Sequence, residues 1–155
     1  MQGGFERLVV PISGSVNVDR LLSLLPELLG KDGGTVTFLF VVEVPQSMPL
    51  DAELPVEVGG GERALKYAEK VARPRLPRGT HIVTELLQAR SVGPAIVDEA
   101  IDRSADGIVM TASIHRRHGR ATLGETINHV LLNAPCEVVV IRTVADPVRS
   151  ESLMA

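Results

Sequence analysis

One segment, Gly107 to Arg142, limits most strongly what this chain can fold into. It contains an apolar run, a stretch rich in His and Arg, a part with helical spacing and a second apolar run, GIVMTASIHRRHGRATLGETINHVLLNAPCEVVVIR. Apolar β-branched runs separated by a helix are typical of parallel strands buried on both faces. A loop between such a strand and helix lies where helix N-termini bind phosphate. The segment therefore predicts an α/β fold with a binding loop over residues 111 to 126.

The rest of the chain repeats this alternation of short apolar runs and segments with helical spacing. It predicts a five-stranded parallel sheet with helices on both faces. The predicted strands are Arg7 to Ile12, Thr35 to Val42, Thr80 to Leu87, Gly107 to Met110 and Glu137 to Arg142. The predicted helices are one with Leu21, Leu24, Leu25 and Leu28 on one face, then Glu62 to Arg73, Gly93 to Arg103, and Thr122 to Asn133.

Two segments lack a consistent period. Val44 to Gly61 contains several prolines and three consecutive glycines, which predicts a mobile surface loop. The chain after about Thr143 is polar and contains Pro147. We therefore expect one domain over residues 1–143, followed by a disordered tail over residues 144–155.

Composition excludes several classes of protein. Apolar residues form 45% of the chain but aromatic residues only 3%, which disfavours base stacking on aromatic rings. A net charge of −3 gives no long-range attraction to nucleic acid or to an anionic membrane. No signal peptide or membrane span is recognised, so we expect a cytoplasmic protein without membrane insertion. The single Cys136 excludes a disulfide framework, and its apolar neighbours predict a buried, unreactive thiol.

From about Phe5 to Arg142 the chain resembles the universal stress protein family. The matching stretches are LVVPISGS, FVVEV, SVGPAIVDEAIDRSADGIVM and LGETINHVLLNAPCEVVVIR, of which the last is the most specific. The resemblance implies a Rossmann-like parallel α/β sandwich that commonly forms a homodimer through its last strand. It also implies a stress-response regulator that often binds nucleotides and has no chemistry of its own.

Several positions depart from the pattern of family members that bind ATP. Those members carry an Asp where this chain has Ser13, and two glycines where it has Thr111 and Ile114. The glycine that opens the last helix is present as Gly124, but the hydroxyl residue that follows it is replaced by Glu125. β-branched residues resist the backbone geometry that glycine allows, and a carboxylate repels phosphate. We therefore expect a degenerate ATP-binding loop.

The resemblance and the basic loop together give a set of candidate ligand-binding residues. The set is Pro11, Ser13, Val41, Met110, Thr111, Arg116, Arg120, Gly124, Glu125 and Thr126. Pro11 and Val41 match adenine-side positions, and the guanidinium groups of the loop can bind phosphate oxygens. Thr122 and Glu125 also fit a capping box, with which the helix would satisfy its own N-terminus.

The sequence predicts no catalytic residue and no set of metal ligands. Asp98, Glu99 and Asp102 are interpreted as the solvated face of the third helix. Ser13-Gly14-Ser15 resembles the start of the phosphate loop of ATP pyrophosphatases, but the match ends after two residues. Ser15 is more simply interpreted as the N-cap of the first helix.

The leading hypothesis is a regulatory domain, not an enzyme, that has lost standard ATP binding. It would act through an altered small anionic or nucleotide ligand, or through a protein partner such as a membrane transporter. The alternative is a genuine ATP or AMP binder whose Arg-rich loop replaces the glycine contacts. A pyrophosphatase-type enzyme that depends on Ser13 is the third hypothesis.

Overall fold

The computed structural model describes residues 3–13, 18–112, 115–117 and 120–142, without the side chains of residues 115–117 and 120–122. Its strands are β1 (Arg7–Pro11), β2 (Thr35–Glu43), β3 (His81–Ala89), β4 (Gly107–Ala112), β5 (His115–Arg117), β6 (Arg120–Thr122) and β7 (Glu137–Arg142). Its helices are α1 (Val18–Leu28), α2 (Pro55–Ala72), α3 (Val92–Asp102) and α4 (Glu125–Asn133), with a 3-10 turn at Arg73–Arg75. Ser15, Ile114 and the predicted tail lie outside the described residues.

Five strands form one parallel sheet in the order β3-β2-β1-β4-β7, which confirms the predicted sheet. The central strand β1 pairs with β2 on one side and with β4 on the other, so that Val9 aligns with both Thr37 and Ile108. The strand order therefore reverses direction at β1. In open α/β sheets, ligands bind at this point, beyond the carboxyl ends of the strands.

Two apolar cores cover the two faces of the sheet. Helices α1 and α2 pack on the side that includes Leu8 and Phe38, and α3 and α4 pack on the side that includes Val9 and Ile108. Successive residues of a strand point to opposite faces, so both sets of side chains become buried. This explains why the central strands have apolar residues without polar alternation.

Helix α2 starts at Pro55, seven residues before the predicted start at Glu62. The prediction of a mobile loop through Gly61 is therefore wrong for residues 55–61. Proline is favoured at the first position of a helix, where its missing N–H is not needed. A Cβ added at Gly61 would lie only 2.6 Å from the ring of Phe40. The missing side chain thus allows α2 to approach the sheet closely, and this packing opposes the low helix propensity of glycine.

Other boundaries differ from the predictions by smaller amounts. Strands β2, β3 and β4 run to Glu43, Ala89 and Ala112, one or two residues beyond their predicted ends. The basic loop was not predicted to contain strands, yet β5 and β6 pair there as an antiparallel hairpin. Among the described residues, no helix combines the length and the apolar character needed to cross a bilayer.

Helix α3 carries a buried carboxylate, so the prediction of a solvated acidic face is wrong for Glu99. Its side chain is only 8% exposed and accepts a hydrogen bond from Arg103 Nε. Arg103 Nη2 also donates to Glu85 Oε2 of β3 at 2.6 Å. Burial raises the pKa of Glu99, as does its hydrogen bond with Glu85. That hydrogen bond and the one from Arg103 lower the pKa of Glu85.

Cys136, just before β7, is partly buried rather than fully buried as predicted. Burial raises the pKa of its thiol, and the negative charges of Asp106 and Glu137 act in the same direction. A raised pKa decreases the fraction of reactive thiolate at neutral pH. The environment of the thiol therefore disfavours reactivity although its burial is incomplete.

Candidate ligand-binding site

A cavity of about 450 Å³ lies at the carboxyl edge of the sheet, between the ends of β1, β2 and β4. Its lining residues come from the strand ends and from the first turns of α3 and α4. They are Pro11, Ile12, Ser13, Leu39, Phe40, Val41, Val92, Ile96, Met110, Thr111, Ala112, Leu123, Gly124, Glu125, Thr126 and Ile127. The volume lies within the range of small-molecule sites.

The inner wall of the cavity is apolar. Leu39, Ile96, Met110, Ala112 and Ile127 are all buried and belong to the core between the sheet and helices α3 and α4. Such a wall can accommodate a ring system but offers few hydrogen bonds. Polar contacts must therefore come from the mouth of the cavity.

Ser13, Thr111 and Thr126 supply hydroxyl groups to this lining. Ser13 follows β1 and is exposed, whereas Thr111 near the end of β4 is partly buried. The register of the sheet fixes both positions, since β1 and β4 are neighbours at the point where the strand order reverses. These hydroxyl groups can donate or accept hydrogen bonds without adding charge.

The first turn of α4 forms another part of the lining. Gly124 precedes the helix with a φ of 94°, a conformation that residues with a Cβ rarely adopt. The backbone N–H of Asn128 donates to the Gly124 carbonyl at 3.2 Å. The N–H groups of the first helical residues have no intrahelical acceptor, and the helix dipole is positive at this end. Such an end can bind an anionic group.

Glu125 places a carboxylate at this same end of the helix. It is exposed, and it is the one charged side chain among the described residues that line the cavity. A negative charge in the first turn interacts favourably with the helix dipole. The protein itself therefore supplies a negative charge where a phosphate would otherwise be favoured.

The predicted capping box at Thr122 is wrong. Thr122 is the last residue of β6 and pairs with His115, so its backbone is extended and lies before the helix. The N-cap is Gly124, and no side chain forms a capping hydrogen bond there. The hairpin and the positive φ of Gly124 together move the helix start from Thr122 to Glu125.

The structure brings eight of the ten candidate residues together around the cavity. They are Pro11, Ser13, Val41, Met110, Thr111, Gly124, Glu125 and Thr126. Arg116 and Arg120 lie in β5 and β6, the hairpin between β4 and α4, and their side chains are not among those described. Whether these residues bind a ligand stays a prediction.

Sequence reasoning missed the other half of the lining. Val92 and Ile96, one turn apart on α3, reach the cavity because this helix starts at the same edge of the sheet. Their helical spacing and the nearby Gly93-Pro94 start could have indicated this position. Leu39 and Ile127 had no distinguishing signal, since they have the pattern of ordinary core residues.

The sequence of this chain matches that of a known protein family. A profile described as the universal stress protein family matches residues 4–142. The chain belongs to the universal stress protein family. The resemblance noted in the sequence is thereby confirmed, and it covers both the sheet and the edge cavity. No curated protein sequence matches this universal stress protein.

Several solved structures share the fold of this universal stress protein. The universal stress protein from Archaeoglobus fulgidus superimposes with a TM-score of 0.68 and 20% identity, over 88% of this chain and 98% of that chain. A structure of the Archaeoglobus fulgidus protein in complex with dAMP superimposes with a TM-score of 0.65 and 19% identity, over 88% of this chain and 97% of that chain. A family member from Arabidopsis thaliana with AMP bound superimposes with a TM-score of 0.60 and 14% identity, over 92% of this chain and 94% of that chain. Because the sequence identities are so low, these superpositions show a common fold and nothing more.

Proposed function

We propose that this universal stress protein is a regulatory domain whose edge cavity takes a small ligand of the nucleotide type and disfavours a triphosphate. The observation that carries the proposal is Glu125, at the N-terminus of α4 in the cavity lining. The complexes of similar structures with dAMP and AMP support a nucleoside monophosphate as the first ligand to test.

Electrostatics gives the direction of the selectivity. Two like charges about 4 Å apart repel by about 1 kcal/mol in water and by about 4 kcal/mol at an effective dielectric constant near 20. Glu125 is exposed, so the lower value is the better guide. A triphosphate presents more negative charge to Glu125 than a monophosphate does. We therefore expect AMP to bind about fivefold more tightly than ATP.

The hairpin supports one alternative function. β5 and β6 connect β4 to α4, so the backbone of Arg116 and Arg120 lies between two elements that line the cavity. Guanidinium groups there would neutralise Glu125 and bind phosphate oxygens bidentately. On this alternative the protein is a genuine ATP or AMP binder that has exchanged glycine contacts for arginine contacts.

The regulatory role includes proposals about partners and location. We propose a cytoplasmic homodimer formed through β7, which in the described part of the chain pairs with β4 alone. Its Val138, Val139, Val140 and Ile141 remain partly exposed, which supports a partner at this edge. We propose no enzymatic step, and a membrane transporter remains the candidate protein partner.

Titration calorimetry of nucleotide-free protein with ATP, AMP and adenosine tests the proposal. The expected result is measurable AMP binding and about fivefold weaker ATP binding. ATP bound at micromolar affinity, or ATP that copurifies stoichiometrically, would instead favour the alternative. If none of the three ligands binds, the nucleotide proposal fails and regulation through a protein partner is left.

Paired substitutions test the reason for the selectivity. Glu125→Ser combined with Ile114→Gly should raise the affinity for ATP, because it removes the negative charge and a β-branched residue. Glu62→Ser removes an exposed carboxylate from α2, away from the cavity lining, and should leave ATP affinity unchanged. Equal behaviour of the two variants would contradict the role of Glu125.

A further inference from the structure

The two outer strands of the sheet differ from the central strands in burial. Strand β3 has nine residues, all aligned with β2, and none of them is fully buried. By contrast, five of the six residues of β4 are buried. Within the described part of the chain β3 pairs with β2 alone, so its other edge presents unpaired N–H and C=O groups.

A groove of about 530 Å³ runs between β3 and α3, on the face of the sheet that α3 covers incompletely. Its lining residues are Glu85, Leu87, Gln88, Ala89, Arg90, Ser91, Pro94, Ala95, Asp98, Glu99 and Asp102. Leu87, Ala89, Pro94 and Ala95 give it an apolar part, and four carboxylates surround them. None of these residues lines the edge cavity.

The charges of the groove are unbalanced. Arg103 forms ion pairs with both Glu85 and Glu99, so one guanidinium group serves two carboxylates. Asp98 and Asp102 are exposed, and no ion pair involves them among the described side chains. The groove therefore keeps a negative potential that its own ion pairs do not cancel.

Arg90 also lines the groove, but its guanidinium group is hydrogen-bonded to backbone carbonyls rather than to a carboxylate of the groove. Its Nη1 donates to the carbonyls of Pro45 and Met48 at 2.6 and 2.7 Å, which ties it to the loop after β2. The same loop is held by Gln88 Nε2, which donates to the Leu50 carbonyl at 2.9 Å. The carboxyl end of β3 is thus fixed, and the preceding part of the strand presents its edge in a defined position.

We propose that this groove binds an extended segment of a partner protein that carries Lys or Arg at alternate positions. The segment adds to the free edge of β3 as a sixth strand. Backbone hydrogen bonds to the edge provide affinity, and the carboxylates of β3 and α3 select basic side chains. The apolar part of the groove packs against the aliphatic stems of those side chains. This binding surface is independent of the ligand in the edge cavity.

The test uses the peptide acetyl-Lys-Thr-Lys-Val-Lys-Thr-Lys-amide and the full chain. Fluorescence anisotropy measures affinity from about 0.02 M to about 0.3 M NaCl, the range in which screening changes strongly. NMR chemical shifts locate the peptide. Two control peptides are used, one with Glu in place of each Lys and one with every backbone nitrogen methylated.

The matched protein variants remove two charges each. Asp98→Asn with Asp102→Asn neutralises the exposed carboxylates of the groove and leaves the Arg103 ion pairs intact. Glu57→Gln with Glu62→Gln removes the same charge from exposed positions of α2, which packs on the opposite face of the sheet. Both variants change only exposed side chains, so both should fold.

The expected result is that the Lys peptide binds and shifts resonances of residues 83–87 and 94–102. The Asn variant should bind it at least about fivefold more weakly, with less than about twofold change for the α2 variant. The Glu peptide and the methylated peptide should each bind at least about fivefold more weakly than the Lys peptide. No binding of the Lys peptide, equal effects of the two protein variants, or undiminished binding of the methylated peptide would overturn the proposal.

Discussion

Helix α3 separates two concave surfaces that differ in position and in charge. Val92 and Ile96 line the edge cavity, whereas Pro94, Asp98 and Glu99 line the groove beside β3. The edge cavity has an apolar wall and one carboxylate among its described lining residues. The groove has four carboxylates, of which two, Glu85 and Glu99, share Arg103. The comparison shows that the reversal of strand order creates one surface and the missing neighbour of an outer strand creates the other.

The largest expected effect concerns the ion pairs of the groove. Arg103→Met leaves the Glu85 and Glu99 carboxylates without their shared cation while Glu99 stays buried. Removing one member of a buried ion pair costs several kcal/mol, and the partial exposure of Glu85 lowers this figure. We expect the free energy of unfolding to fall by about 2 kcal/mol. Urea denaturation at neutral pH measures it.

Arg73→Met is the matched control for this prediction. Arg73 pairs with Glu69 one turn away, with side chains 60% and 36% exposed. Exposed pairs of this kind contribute about 0.3–0.5 kcal/mol, so the control should lose about that amount. Equal losses in the two variants would show that the cluster in the groove contributes no more than a surface ion pair.

The second prediction concerns the edge cavity. Val41→Trp introduces a large ring into the lining of the cavity, at a position that is only partly buried. If AMP binds here, its affinity should fall at least about tenfold, about 1.4 kcal/mol, because the ring occupies the space of the ligand. Calorimetry measures AMP binding, and the Lys peptide should bind the variant as it binds the unchanged protein.

Val56→Trp provides the same substitution away from both surfaces. Val56 is 78% exposed on α2 and lines neither the cavity nor the groove. It should leave the affinities for AMP and for the peptide unchanged. Loss of peptide binding in the Val41→Trp variant would show that the edge cavity and the groove are coupled, which would contradict their independence.

A smaller effect is expected from Glu125→Ser alone. The exposed carboxylate opposes an anionic ligand through a screened interaction, so its removal should raise AMP affinity about threefold to fivefold, about 0.7–1 kcal/mol. The affinity for adenosine, which carries no phosphate, should stay constant. An equal gain for adenosine would indicate that the substitution acts on shape rather than on charge.

The sequence predicted the two surfaces unequally. The order of strands and helices and the family resemblance placed Pro11, Val41 and Glu125 at one edge, because parallel strands bring their carboxyl ends together. The start of α2 was not predictable from local propensity, since the contact of Gly61 with Phe40 depends on the packed structure. The hairpin at Thr122 also depends on pairing rather than on composition.

The groove lacked a local signal for the same reason. Glu99 directly follows the exposed Asp98 on α3, so its side chain leaves the helix in a different direction. Only the packed sheet shows that this direction leads toward Glu85. The two carboxylates are distant in sequence, so no motif connects them. Sequence reasoning therefore finds the surface that follows from strand order. It misses the surface that depends on contacts between residues distant in sequence.

The smallest expected effect is a change in the pH dependence of stability caused by Glu99→Gln. Burial raises the pKa of Glu99 above its ordinary value of 4.5 in the folded protein. The folded state therefore holds this proton more tightly, and the stability that Glu99 contributes at low pH is lost as the pH rises through its folded pKa. Glutamine imitates the protonated form at every pH. The stability of the variant relative to the unchanged protein should thus increase with pH above 4.5.

Glu85 acts in the opposite direction, so the measurement needs its own control. Its pKa is lowered by the hydrogen bonds with Glu99 and Arg103, and its contribution is lost as the pH falls through its folded pKa, below 4.5. A change in relative stability with pH above 4.5 therefore reports the titration of Glu99 and not that of Glu85. Asp98→Asn, which changes an exposed residue of the same helix, is the control variant. If Glu99→Gln also gives a pH-independent difference in urea denaturation, Glu99 titrates alike in the folded and unfolded chains, contrary to a raised pKa in the folded protein, and the groove offers a basic partner an ionised cluster at neutral pH.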